Sequence, residues 1–246
     1  LAPGEVEACA VCACGDPTLT SMGVEQPFAG RSRGAIQMMQ RRLISPESGE
    51  DVLSLEEWTL NLSYSYAFTD RLQLSATLPL LDRRGVQSNL SQIKSLGLGD
   101  GELRARYALL DKRSAHQRHL VSGLLGVKLP TGQLPTYTDG SPLPDEYWGG
   151  TGSLDAILGL SYGLFRDPIS GWVSLWGERP GPGWDGLQQA PTYLASVALQ
   201  YQPHHQVSIQ GILDARSGGE VSWDGVLEPN TGGDALFGGV RLLVSP

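Results

Sequence analysis

The stretch "EEWTLNLSYSYAFTDRLQLSATLPLLD", residues 56–82, decides the fold because its large apolar side chains fall on every second position. Between Trp58 and Phe68 they alternate with Thr, Asn, Ser and Ala, and after a short turn the alternation resumes from Leu72 to Leu80. Side chains two positions apart lie on the same face of a β-strand, so each segment has one apolar and one polar face. Strands of soluble proteins are usually about 5–6 residues long, so these longer segments favour strands that cross a bilayer.

The same two-residue period recurs along the chain and predicts ten strands. They are 34–44, 52–68, 71–82, 99–110, 118–129, 152–165, 169–178, 191–202, 205–214 and 234–245. Each has about the 9–11 residues that a tilted strand needs to cross a bilayer, and short turns alternate with long Gly- and Pro-rich connections. The sequence therefore predicts an all-β fold, an antiparallel up-and-down transmembrane β-barrel of about ten strands. Twelve strands are expected if the N-terminal region or the stretch 219–227 adds two.

Composition excludes several other classes of protein. The 246 residues carry a net charge of −8 and a pI near 5.0, which argues against a nucleic-acid partner. No run of 18 or more apolar residues occurs, so a helical membrane span is not expected. The mean hydropathy of −0.15 is nearly neutral, as it is in barrels that alternate apolar and polar residues.

The N-terminal region does not show this alternation and divides the chain into three parts. Residues 1–8 are predicted to be the end of a signal peptide, with Val6-Glu7-Ala8 as the cleavage site. Residues 9–33 are expected to form a Cys-containing segment, either a plug in the lumen or a periplasmic extension, and residues 34–246 the barrel. An even number of strands places both termini on the short-turn side, the periplasm of a bacterial cell.

Three cysteines, Cys9, Cys12 and Cys14, lie within six residues, and the chain has no others. Three thiolates at this spacing can bind one soft ion such as Cu(I) or Zn(II). In an oxidising periplasm the competing interpretation is one disulfide with the third cysteine free or acylated. A third interpretation is a disordered leader with neither a metal nor a disulfide, and all three stay open from the sequence.

Charged residues on the polar faces of the strands are expected to line the lumen, because burying them against lipid would carry a large desolvation cost. One interpretation is a selectivity region for ions or polar solutes. The other is an internal salt-bridge network that stabilises a narrow barrel. The residues concerned are Glu102, Arg104, Arg106, Lys128, Asp155, Asp214 and Arg241.

Aromatic residues near the strand ends are predicted to form the two belts that mark the interfaces of a bilayer. Tyrosines dominate this set, and two tryptophans of the segment 169–178 are included. The set consists of Tyr64, Tyr66, Phe68, Tyr107, Tyr162, Trp172, Trp176, Tyr193 and Tyr201.

Three motifs, "LGLGD" at 96–100, "KLPTG" at 128–132 and "GTG" at 150–152, resemble those of a known family of outer-membrane barrels. It is the family described as the meta-pathway-of-phenol-degradation type, in which these motifs open or close strands. The resemblance covers residues 52–245, is most specific at 96–165, and includes no catalytic residue. It implies an outer-membrane barrel that moves small, often hydrophobic molecules.

These patterns together predict a channel for the passive passage of small molecules across the bacterial outer membrane, with lipid and a small solute as partners. The alternative is a structural or scaffolding barrel whose cysteine segment binds a soft metal or a periplasmic redox or metal-carrying partner. No catalytic motif appears in the sequence, and an enzyme is not predicted.

Overall fold

The structure is a computed structural model, and it describes residues 29–44, 52–87, 90–204, 206–229 and 231–244. The predictions of a signal peptide and of a metal site or disulfide at Cys9, Cys12 and Cys14 lie outside the described residues.

Fourteen β-strands make up most of the described chain, with 3₁₀ turns at Asp145–Tyr147 and Trp184–Gly186. The strands are β1 Ser32–Ile44, β2 Val52–Ala67, β3 Leu72–Gln87, β4 Gln92–Leu98, β5 Gly101–Arg113, β6 Arg118–Leu129, β7 Asp155–Arg166, β8 Ile169–Arg179, β9 Leu187–Gln188, β10 Thr192–His204, β11 Val207–Gly218, β12 Ser222–Trp223, β13 Val226–Leu227 and β14 Gly233–Val244. In the part of the chain that the structure covers, no helix has the length and apolar character of a membrane span.

Ten long strands follow one another in a single antiparallel sheet, in the order β1-β2-β3-β5-β6-β7-β8-β10-β11-β14. Each strand therefore pairs with its neighbours along the chain, which is the up-and-down connectivity that the sequence predicted. The short strand β4 joins the sheet as an eleventh strand by pairing with the second half of β3. Strands β1 and β14 stand at the two ends of the described sheet, where each has one hydrogen-bonded neighbour.

Consecutive strands are joined differently at the two rims of the sheet, where the strands begin and finish. At one end, which we call the short-turn end, a few residues link β2 to β3, β5 to β6, β7 to β8 and β10 to β11. In the first of these turns, the Thr69 hydroxyl accepts hydrogen bonds from the backbone N–H groups of Arg71 and Leu72, at 3.2 and 2.9 Å, so a side chain closes the turn. The opposite end, the long-loop end, carries the long connections.

Two predictions about the connections were wrong. Residues 83–98 were expected to be a loop, but β3 continues to Gln87 and β4 pairs back onto it. The stretch 219–227 does form a hairpin of β12 and β13, but β12 pairs with β9 on its other side, so the hairpin belongs to a separate three-stranded sheet and adds nothing to the barrel wall. In that hairpin, Asp224 and Gly225 have φ angles of 49° and 82°, as a tight two-residue turn requires.

The register of the central strands aligns four serines in one row across the sheet. Ser122 on β6 lies opposite Ser161 on β7, which lies opposite Ser174 on β8, which in turn lies opposite Ser196 on β10. All four are buried. A one-residue slip of any strand would place its serine on the other face of the sheet.

This register predicts a disulfide between cysteines introduced at Ser161 and Ser174, in a chain whose native cysteines are replaced by serine. Directly opposite residues fall within the Cα separation of about 4.4–6.8 Å that a disulfide spans, so mild oxidation should link them. Gel mobility after proteolysis between the strands measures the link. The control pair, Leu160→Cys with Ser174→Cys, lies on opposite faces and should stay reduced. Crosslinking of the control alone would show that the register is wrong.

Candidate functional site: the polar face and the loops above it

Burial divides the sheet into two faces with different chemistry. On β7, Leu158 and Leu160 are 69% and 52% exposed, whereas Ile157 and Ser161, which flank them in the sequence, are 1% and 7% exposed. In a sheet that is one layer thick, such burial is explained by curvature of the wall around the buried side. We call the two sides the aliphatic face and the polar face. Further exposed members of the aliphatic face are Leu62, Leu74, Leu103, Leu125, Leu175, Val197, Leu199 and Leu213.

A three-residue ionic group lies on the polar face near the long-loop end. Lys128 on β6 is directly opposite Asp155 on β7, and their side chains form an ion pair. The Lys128 ammonium also lies 3.2 Å from a carboxylate oxygen of Glu178 on β8. Asp155 is fully buried and accepts a further hydrogen bond from the backbone N–H of Gly181 at 3.1 Å. A buried carboxylate needs such compensation for lost hydration.

A second ion pair lies beside this group, on β5. Arg104 donates to a carboxylate oxygen of Glu102 at 2.9 Å, and its guanidinium carbon is 5.2 Å from the ring centre of Trp176. Trp176 therefore belongs to the polar face. The same is true of Trp172, which is only 3% exposed. The prediction that these two tryptophans stand in an interfacial belt was wrong, because their positions in β8 share the parity of the buried Ser174.

The remaining charged residues expected in the lumen are spread more widely. Arg106 is buried on the polar face and donates to the side-chain oxygen of Gln73 at 2.6 Å. Asp214 lies opposite Ser196, and Arg241 on β14 lies opposite Gln210. The structure thus brings four of the seven predicted residues, Glu102, Arg104, Lys128 and Asp155, together near the long-loop end of β5 to β7. Arg106 lies nearer the middle of β5, and Asp214 and Arg241 lie on β11 and β14.

The connection between β6 and β7, residues 130–154, folds back onto the polar face. Leu143 and Tyr147 from this loop form a buried cluster with Leu55 of β2 and Ile93 of β4. Tyr147 is completely buried, and a Cβ atom at Gly85 of β3 would overlap its hydroxyl. Burial, with a smaller contribution from Glu146, raises the pKa of Tyr147 above its ordinary value, so the hydroxyl stays protonated at neutral pH. We call residues 130–154 the mouth loop.

Trp148 connects the mouth loop to two further long connections, those that contain Trp184 and Trp223. Its ring makes edge-to-face contacts with Trp184, at 6.0 Å between centres, and with Trp223 of β12, at 5.7 Å. Its indole N–H donates to the carbonyl of Leu143 at 2.7 Å, and its own carbonyl accepts from Arg83. Aromatic pairs in this geometry are each worth about 0.5–1.5 kcal/mol beyond area burial. The three loops at this end therefore pack as one unit.

Asp100 brings together the three motifs that carry the family resemblance. One carboxylate oxygen accepts from the N–H of Gly132 at 3.0 Å, and the other accepts from the N–H of Thr151 at 2.8 Å and its hydroxyl at 3.2 Å. A Cβ atom at Gly132 or Gly150 would overlap or crowd the carboxylate, which explains glycine at both positions. Asp100 thereby holds both ends of the mouth loop.

Several residues of this site were not singled out from the sequence. Glu178 could have been found, because it continues the parity of Ser174 and Trp176 on β8. Asp100 was quoted within a motif without a role. Trp148 lies in a non-periodic loop, so no pattern in the sequence indicated that it would be buried.

Replacing Asp100 by Ala is expected to release the mouth loop, because two backbone N–H groups lose their acceptor. An unsatisfied group of this kind costs about 1–3 kcal/mol. Limited proteolysis of the folded protein in detergent should then cut within 130–154 faster than in the unchanged chain. Asp139→Ala is the matched control, since Asp139 accepts from Ser141 within its own turn, at 2.6 and 2.9 Å. Equal cleavage rates in the two variants would contradict the assignment.

Among solved structures, an outer-membrane channel from Pseudomonas putida F1 has a similar fold. The TM-score is 0.61 at 18% sequence identity, and the alignment covers 87% of this chain and 81% of that channel. No protein-family model and no curated protein sequence matches the chain. The likeness shows the fold, a barrel of the type found in outer-membrane channels. The resemblance to the meta-pathway-of-phenol-degradation family stays a prediction.

Proposed function

We propose that the chain is an outer-membrane channel through which small molecules pass by diffusion. The observation that carries the proposal is the alternation of exposure along the central strands, with aliphatic side chains on the outside of the wall and hydroxyl, amide and charged side chains on the inside. A soluble barrel would leave this aliphatic belt in water. The similar fold of the Pseudomonas putida channel supports the same conclusion.

In this proposal the aliphatic face contacts the acyl chains, and the ladder hydrogen bonds satisfy the backbone inside hydrocarbon. The long-loop end faces the cell exterior and the short-turn end the periplasm, as in other outer-membrane barrels. Both termini are then periplasmic. Residues 9–33, of which the structure describes only 29–33, stay a predicted plug or periplasmic extension.

The ionic residues near the long-loop end give the proposed pore a small preference for cations. Two cationic side chains, Arg104 and Lys128, face three carboxylates, those of Glu102, Asp155 and Glu178, which leaves an excess of one negative charge. Rings of charged side chains set the sign of the permeant ion in many pores. The ion pairs also support the wall, so the stabilising and selective interpretations of these residues are compatible.

Lys128→Gln should increase the preference for cations, because it removes one positive charge and leaves all three carboxylates. The reversal potential in a salt gradient across a planar bilayer measures the preference. Lys112→Gln is the matched control, since Lys112 is an exposed residue of β5 outside the ionic group. A reversal potential that moves toward anion preference, or that moves equally in the control, would contradict the role given to Lys128.

Liposome swelling tests the proposed function directly. Proteoliposomes should swell in isotonic solutions of small sugars, amino acids or phenols faster than empty liposomes, with a rate that falls as solute size rises. The inserted protein should also show heat-modifiable gel migration, which confirms a folded barrel. A folded, inserted protein that passes none of these solutes, with the mouth loop intact or released by Asp100→Ala, would refute the channel function.

The second candidate is a scaffolding barrel whose segment with Cys9, Cys12 and Cys14 binds Cu(I) or Zn(II) or a periplasmic partner. The cysteine spacing in the sequence favours it. Thiol titration and elemental analysis of the full chain, compared with a variant carrying serine at all three positions, distinguish a metal site from a disulfide.

A further inference from the structure

The polar face changes character near the short-turn end. The register aligns five residues in one row across five neighbouring strands. In order they are Leu120 on β6, Gly163 on β7, Trp172 on β8, Ala198 on β10 and Ile212 on β11. One level of the wall therefore carries five successive residues without a polar side chain. On β5 the row is continued by Asp111, which lies opposite Leu120.

The side chains at this level are tightly packed. The ring of Phe165 fills the space left by Gly163, since a Cβ atom on that glycine would lie 2.8 Å from the ring. The ring also stacks on Trp172 with 6.4 Å between centres and 22° between planes. Leu120 and Phe165 are each 1% exposed and Trp172 is 3% exposed. Together with Ala108, Ala198 and Ile212 they form one cluster, which we call the apolar cluster.

The charges next to the apolar cluster compensate each other. Arg118 lies opposite Phe165, with its guanidinium carbon 6.0 Å from the ring centre. It pairs with both carboxylate oxygens of Asp111, at 2.7 and 3.0 Å. A hydrated ion that loses water against the apolar side chains of the cluster gains little in exchange, because the Asp111 carboxylate is already paired with Arg118, and the passage is unfavourable.

The change from polar to apolar takes place within one step along the strands. The serine row, Ser122 to Ser196, lies two residues from the Leu120–Trp172 row on each strand, a rise of about 6.6 Å. In the described residues, the hydroxyl of Ser122 is buried without a protein hydrogen-bond partner. The hydroxyl-lined part of the interior thus ends directly at the apolar cluster.

We propose that the apolar cluster is the main barrier to ion passage at the short-turn end of the lumen. The inference rests on the proposed channel function and identifies the residues that determine its conductance. A narrow apolar constriction can lose the water inside it and thereby block ions, even where its radius is large enough to admit water. The ionic group near the long-loop end then sets the sign of the preference, whereas the apolar cluster limits how fast ions pass.

Single-channel recording in planar bilayers tests the barrier with two different changes. Leu120→Asn keeps the side-chain volume nearly constant but makes the level polar, and Trp172→Ala removes volume. Both should raise the ion conductance several-fold above that of the unchanged chain. Leu124→Asn is the matched control: the same change on the same strand and face, two positions beyond the serine row, should leave conductance unaltered. Heat-modifiable migration confirms that each variant is folded before recording.

The outcomes separate this inference from the channel function itself. Higher conductance in both cluster variants, with Leu124→Asn unchanged, supports the barrier. If both folded cluster variants conduct like the unchanged chain while Asp100→Ala conducts more, the barrier lies at the mouth loop and the inference is wrong, but the channel stands. If no variant conducts and no solute passes in liposome swelling, the channel function and the barrier are both refuted.

Discussion

The structure depends on one constraint, the pairing of every backbone polar group in a wall whose outer surface is aliphatic. Hydrocarbon offers no hydrogen-bond partner, so in the proposed membrane location a chain that exposes Leu158, Leu160 and Leu199 must satisfy its backbone within the sheet. An antiparallel sheet of long neighbouring strands does this. Because side chains alternate, the same wall necessarily has a second face. On this face serines, arginines and carboxylates lie close to one another, and the charged residues form ion pairs.

In the proposed channel the interior is closed at two levels by different means. At the long-loop end, Asp100 anchors the mouth loop, and Trp148 joins it to the other loops through aromatic contacts. At the short-turn end, the wall itself supplies Leu120, Phe165 and Trp172. The first closure is a loop held by hydrogen bonds that can be exchanged for bonds to water. The second is packed apolar side chains, whose exposure to water is unfavourable.

Much of the fold could be predicted from the sequence, because a period of two needs no tertiary information to be recognised. The prediction from this period fails where a strand carries large apolar residues on both of its faces. In β4, Ile93 and Leu96 point to opposite faces, so no alternation marks the strand. In β8, Trp172 and Leu175 are large apolar residues of opposite parity. Lys128 and Asp155 were both expected on the polar face, but not as each other's partner. The position of Trp148 depends on loops that meet only after folding.

The central claim, that the aliphatic face touches acyl chains and the polar face does not, is tested most directly by spin-label accessibility. Labels are placed one at a time along residues 156–163, in a chain without native cysteines that is reconstituted into bilayers. Their accessibility to oxygen should alternate from one residue to the next. Oxygen, which dissolves in lipid, should increase the relaxation rate of labels at Leu158 and Leu160 and should not affect labels at Ile157 and Ser161. Loss of this two-residue period, or access of a water-soluble nickel complex to Leu160, would contradict the account.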